Sequence, residues 1–182
     1  LVEKKGVHFL LEAMPAVLKK YPTVRLILAG SGPMEQELRQ QAQRLQISDR
    51  VSFLGMVSQT ELPAMYRKAT LAIFPFIVAK SGDQEGFGLV QVEAMGCECP
   101  IIAGDLPAIH DIVIHEENGL IVESGNIRAL ADAIIQTLDD KDLRLKLAEK
   151  ARMQVMERFD WEVIAGKYGK IYQALLHSLI VK

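Results

Sequence analysis

The chain has 182 residues, 49% of them Ala, Val, Ile, Leu, Met, Phe, Trp, Tyr or Cys and 24% charged, which suits one domain with a sizeable core. Its 21 basic and 23 acidic side chains leave a net charge of −2, so there is no electrostatic reason to expect nucleic acid or an anionic membrane as the main partner. No apolar run approaches the ~20 residues of a spanning helix. The two cysteines, Cys97 and Cys99, stand one residue apart and read as reduced, buried thiols of a cytoplasmic protein rather than as a disulfide or a zinc site.

Apolar strand-like runs alternate with amphipathic helical ones, the pattern of a parallel sheet covered on both faces. Phe9, Leu10, Ala13, Met14, Val17 and Leu18 recur at helical spacing, and Tyr21-Pro22 ends that helix. Residues 24–29 form a short buried strand closed by Gly30-Ser31-Gly32-Pro33. Pro33 suits the first turn of the next helix, which runs to about Leu45. Residues 51–55 make a second strand, and Ser58 with Glu61 forms a capping box for a helix ending near Lys68.

A third strand over 71–74 stops at Pro75, and the loop 76–85 leads into a helix over 88–97. Strands at 100–103 and 119–122 follow, and then helices at 127–138, 141–158 and 161–179. No repeat or linker interrupts the chain, so 1–182 reads as a single domain.

Chemistry concentrates in Ser81-Gly82-Asp83-Gln84-Glu85-Gly86-Phe87-Gly88-Leu89-Val90-Gln91-Val92-Glu93-Ala94-Met95-Gly96. Glu85 and Glu93 are separated by seven residues, with Gly86 and Gly88 just after the first glutamate. Glycines before a helix let the backbone approach a ligand closely, and the first-turn N–H groups then face an anion. The six residues from Phe87 to Glu93 span about 9 Å of helix, roughly the reach from a diphosphate to the ribose of the same nucleotide.

This segment resembles the E-x7-E signature of retaining GT-B glycosyltransferases, and the resemblance runs over nearly the whole chain. It implies a Rossmann-like, doubly wound α/β domain with helices on both faces, the C-terminal, donor-binding half of such an enzyme. The implied donor is a UDP- or GDP-linked sugar, with no metal and no other cofactor. Glu85 would orient hydroxyls of the donor sugar and Glu93 would hold the ribose diol. Gly86, Phe87, Gly88 and Leu89 would line the β-phosphate. Lys5, directly before Gly6, resembles the family's Lys-Gly pair that grips the diphosphate, so the catalytic expectation rests on Glu85 and Lys5.

Gly30 and Gly32 resemble the family's Gly-x-Gly-Pro turn beside the nucleotide. A dinucleotide fingerprint fits them less well, because Glu35 stands where the third glycine belongs and Asp49 precedes a strand instead of ending one. Phe53 lies in the segment whose backbone meets the nucleobase in that family, while its own side chain suits the core; Leu62 and Tyr66, one turn apart on the following helix, either border the base or simply pack. Lys80 and Asp83 stand in the loop that varies with donor sugar. The family's glycine pair before Asp111 is replaced by Pro107-Ala108.

His8, His110, His115 and His177 are scattered, and Asp139-Asp140-Lys141-Asp142 reads as a solvated turn with an N-cap. The resemblance further implies that a central strand, an arginine-bearing loop and an N-terminal acceptor domain precede Leu1 in a longer protein. In that case the isolated chain binds donor without turning it over. The apolar face of the last helix (Ile164, Tyr168, Ile171, Leu175) would then be partly bare. Attachment of the whole protein to the inner face of the cell membrane stays open, as do a non-catalytic nucleotide-sugar-binding module and a phosphorylase of the same fold.

Overall fold

Alternation of strand and helix is what the computed structural model shows over residues 1–180, which it describes. The strands are β1 (Leu26–Ala29), β2 (Val51–Gly55), β3 (Ala72–Phe74), β4 (Ile101–Gly104) and β5 (Leu120–Val122). The α-helices are α1 (Val7–Lys20), α2 (Glu35–Arg44), α3 (Leu62–Lys68), α4 (Leu89–Gly96), α5 (Ile127–Asp139), α6 (Lys141–Arg158) and α7 (Trp161–Ile180). Each lies within a few residues of its expected place. Three short 3-10 turns, Glu3–Lys5, Ser48–Arg50 and Pro107–Asp111, carry no hydrophobic period and were not expected.

All pairings within the sheets are parallel. β1 pairs with β2, placing Leu26 opposite Val51, while β4 lies between β3 and β5, with Ile101 opposite Ala72 and Ile102 opposite Leu120. Every residue of β4 is buried, as a parallel strand covered on both faces requires. Ile102 joins a core formed by Leu10, Leu11, Met14 and Val17 of α1, Leu130 and Ile134 of α5, and Leu26 and Leu28 of β1. Ile101 and Ala103 face the other way, into a core with Val92 and Met95 of α4 and Ala151 and Val155 of α6. Burial of each large aliphatic side chain contributes about 1.5–3 kcal/mol, so these two layers hold the domain together.

β1 and β3 belong to separate sheets. The segment 1–6 joins their carboxyl ends: the Leu1 nitrogen donates to the Ser31 carbonyl, Met34 N–H to Leu1 O (3.2 Å), and Ile77 N–H to Lys4 O (3.0 Å). Gly6 is the N-cap of α1 at φ 65°, and a Cβ there would overlap the Pro75 carbonyl oxygen. The start of α2 is later than expected: Pro33 and Met34 lie in a turn closed by Glu35 N–H on Gly32 O at 3.1 Å, and regular helix begins at Glu35.

β1 departs from expectation as well. Leu26 and Leu28 are buried but Ile27 is 54% exposed, because only the α1–α2 side of β1–β2 is covered. Ser58 and Glu61 form the expected reciprocal bonds, each at 3.3 Å, one turn before α3 becomes regular at Leu62. Tyr168, Ile171, Tyr172 and Leu175 of α7 are more than half exposed. Among the described residues no helix is long and apolar enough to cross a membrane.

Candidate functional site

Three loops converge at the carboxyl ends of β1 and β3: the segment ending at Gly6, the Gly30–Gly32 turn, and the 76–88 loop that enters α4. Lys5 stands at the end of a 3-10 turn, and its Nζ lies 2.6 Å from Glu85 Oε2 and 4.8 Å from the centre of the Phe76 ring. Lys4 pairs in the same manner with Asp83 at 3.1 Å. Two lysines of the first segment thus grip two acids of the loop, a link between residues about eighty positions apart.

Burial pushes the Glu85 carboxyl up. The hydrogen bond and charge of Lys5, aided by Lys4 and the Gly88 N–H, outweigh burial and hold it below the usual carboxylate range. Glu85 therefore contributes stability that is present above the unfolded value near ~4.3 and is lost as pH falls through the folded value.

Gly88 caps α4 at φ 79°, a left-handed conformation that glycine adopts without strain. A Cβ there would also stand 2.7 Å from Gln91 Nε2 and push that carboxamide aside. Glu93 is half-buried farther along α4. Its Oε2 is buried and lacks a hydrogen-bond partner. Tyr66 of α3 stands beside it, its phenol held above the ordinary range by burial and then by the Glu93 charge.

Phe87 is exposed on the rim, edge-on to Phe159 at 5.9 Å, and Leu89 is exposed next to it. Gly30 ends β1 at φ 116°, its N–H donating to Gly55 O at 2.7 Å, while Gly32 lies against Leu1. Lys5, Glu85 and Gly88 are thereby brought together, with Gly86, Phe87 and Leu89 around them and Glu93 on the same helix.

The Phe53 side chain packs on the α1–α2 core, as expected of it, with the Arg39 guanidinium 4.3 Å over its ring. At the end of β2 a groove of about 410 Å³ is lined by Leu54, Met56, Val57, Glu61, Ala64, Met65 and Lys68. Met56, 86% exposed, carried no periodic signal, and Tyr66 turns from this groove toward Glu93. Gln91 was also missed, since a polar residue within an apolar helix gives no sign of which way it faces.

Lys80 is exposed, and the Pro107-Ala108 stretch forms a 3-10 turn with Ile109 in the core. Cys97 and Cys99 are free thiols, and burial together with the Cys97 charge pushes Cys99 up to about 12. Asp140 caps α6 by accepting from Leu143 N–H at 2.8 Å, and Asp139 accepts from Lys20 and Tyr21 at the end of α1. Among the described residues no three His, Cys, Asp or Glu side chains converge as metal ligands would.

Residues 1–154 match the family model described as glycosyl transferases group 1. The chain belongs to this family. It is 32% identical over 168 residues to the GDP-mannose-dependent alpha-(1-6)-phosphatidylinositol monomannoside mannosyltransferase of Mycobacterium tuberculosis, covering 92% of this chain and 44% of that protein.

Among solved structures it is similar to HepE of Anabaena in complex with UDP-glucose, at 29% identity and a TM-score of 0.83, over 96% of this chain and 46% of that one. It is also similar to the C-terminal domain of the group 1 glycosyl transferase LpcC from Francisella tularensis, at 28% identity and a TM-score of 0.77, over 88% of this chain and 83% of that one. The fold is the C-terminal half of a GT-B glycosyltransferase. The chain spans less than half the length of the curated relatives it matches, about 44% for the mannosyltransferase above.

Proposed function

We propose that this chain is the donor-binding domain of a glycosyltransferase that transfers a sugar from a nucleoside diphosphate to an acceptor hydroxyl, with retention of configuration and without a metal. The observation that carries the reading is the meeting of Lys5 and Glu85 beside Gly88, at the open N-terminal end of α4. As the glycosidic bond of the donor breaks, negative charge grows on the leaving diphosphate. The Lys5 ammonium and the first amides of α4 supply positive potential where that charge develops.

Each glutamate then has a separate task. Lys5 moves to the phosphate, and Glu85, released from it, accepts hydrogen bonds from hydroxyls of the sugar. Glu93 offers two acceptor oxygens to the adjacent hydroxyls of the ribose, and its buried, unpartnered Oε2 supports that role. The base is uracil or guanine: HepE was solved with UDP-glucose and the mannosyltransferase depends on GDP-mannose. The acceptor is held by a second domain, in keeping with relatives more than twice as long as this chain. The whole protein works in the cytoplasm.

Titration calorimetry of the chain with UDP and GDP tests the reading. One of the two binds, and Glu93→Ala weakens that binding by about ten- to a hundredfold, the value of hydrogen bonds to a charged acceptor. Equal affinity of wild type and Glu93→Ala overturns the ribose role, and binding of neither nucleotide overturns the site.

A further inference from the structure

Gln91 has no task in the site as described, yet its position is unusual. It stands in the first turn of α4, is 0% exposed, and neither its Nε2 nor its Oε1 has a hydrogen-bond partner. An interior carboxamide without bonds is costly on both polar atoms, and a leucine would fill the same space at no such cost. The side chain folds back under the loop: Nε2 lies 2.7 Å from where a Cβ on Gly88 would be, next to the Phe76 ring. Lys5, paired with Glu85, sits over that same ring, so the carboxamide and the Lys5–Glu85 pair share Phe76 as a neighbour.

A trans peptide carries its N–H and C=O on opposite sides. When the amides of Phe87 and Gly88 turn toward an anion above the helix end, the carbonyls of Gly86 and Phe87 turn down, toward Gln91. The Gly88 carbonyl is already engaged by Gln91 N–H at 2.8 Å. Gly86 and Gly88 give the loop the freedom to make this turn.

We propose that Gln91 is a positioning residue for the diphosphate. When donor binds, its Nε2 donates to the Gly86 or Phe87 carbonyl and fixes the loop amides on the phosphate oxygens. The bond absent without ligand is formed with it, so the carboxamide favours the bound loop over the empty one. The inference rests on the reading of the α4 end as the diphosphate site.

The test compares wild type and Gln91→Leu by calorimetry with UDP, GDP, uridine and guanosine, and by urea denaturation without ligand. Gln91→Leu is expected to denature at an equal or higher urea concentration. Its Kd for the diphosphate that wild type binds should rise about five- to tenfold, with the Kd for the matching nucleoside unchanged. A merely structural role would lower stability and weaken nucleoside and diphosphate alike, and that result overturns the inference. Unchanged diphosphate affinity overturns it too, while wild-type binding leaves the site itself standing. Failure of wild type to bind either diphosphate overturns the site and this inference together. Gln91→Met, unbranched and of similar volume, replaces Gln91→Leu if the latter does not fold, and failure of both assigns Gln91 to folding alone.

Discussion

Glu85 and Glu93 carry the same functional group in opposite surroundings: Lys5 sits on the first, and the second keeps a buried oxygen with no donor. Lys5→Met should therefore raise the Glu85 carboxyl, since burial then acts with only Lys4 and the Gly88 amide opposing it. Carbon-13 NMR titration of the Glu85 carboxyl checks this, and an unmoved value would mean that the pair does not form in solution. The same variant should lose the stability that Glu85 gives wild type above its unfolded value near ~4.3, so the two proteins converge in acid. The acids themselves were legible in the sequence, because their spacing around two glycines is local. The partner of Glu85 was not, since Lys5 lies eighty residues away and no local pattern joins them. Phe53 was legible as a core residue of its strand, while the Arg39 guanidinium that α2 stacks over its ring was not.

Strands and helices were placed by hydrophobic period, and the misses fall at short turns. Pro33 and Met34 make a turn before α2, and the 3-10 turns are too short to have a period. Gly6 and Gly55 separate backbone strain from packing at such points. Both are left-handed, at φ 65° and 68°, but only Gly6 has a neighbour where a Cβ would go, the Pro75 carbonyl. Gly55→Ala should cost about 1–2 kcal/mol for the left-handed backbone, and Gly6→Ala clearly more. Urea denaturation of both variants checks the order, and equal losses would place Pro75 farther from α1. At the other end of the fold, Asn126 accepts from Ala129 N–H at 2.9 Å as the N-cap of α5. Asn126→Ala should cost about 0.5–2 kcal/mol in the same assay.

For the whole molecule, the layered arrangement followed from the alternation of strand and helix, whereas the bare face of β1 did not. The sequence shows that Ile27 is apolar but not what would cover it. Nucleotide binding should report on the molecule as a unit: a ligand at a hundred times its Kd adds about 2.7 kcal/mol, a rise in Tm of roughly 5–10 °C for a domain of this size. A thermal-shift panel of UDP, GDP and ADP identifies the base, and EDTA should leave the shift unchanged. The Gly30–Gly32 turn follows β1 and α4 follows β3, and the 1–6 segment is hydrogen-bonded to the loops at both strand ends. A nucleotide resting on both would work as a rivet. Its arrival should slow amide exchange in β1 and β3 together, although the pocket touches only their tips.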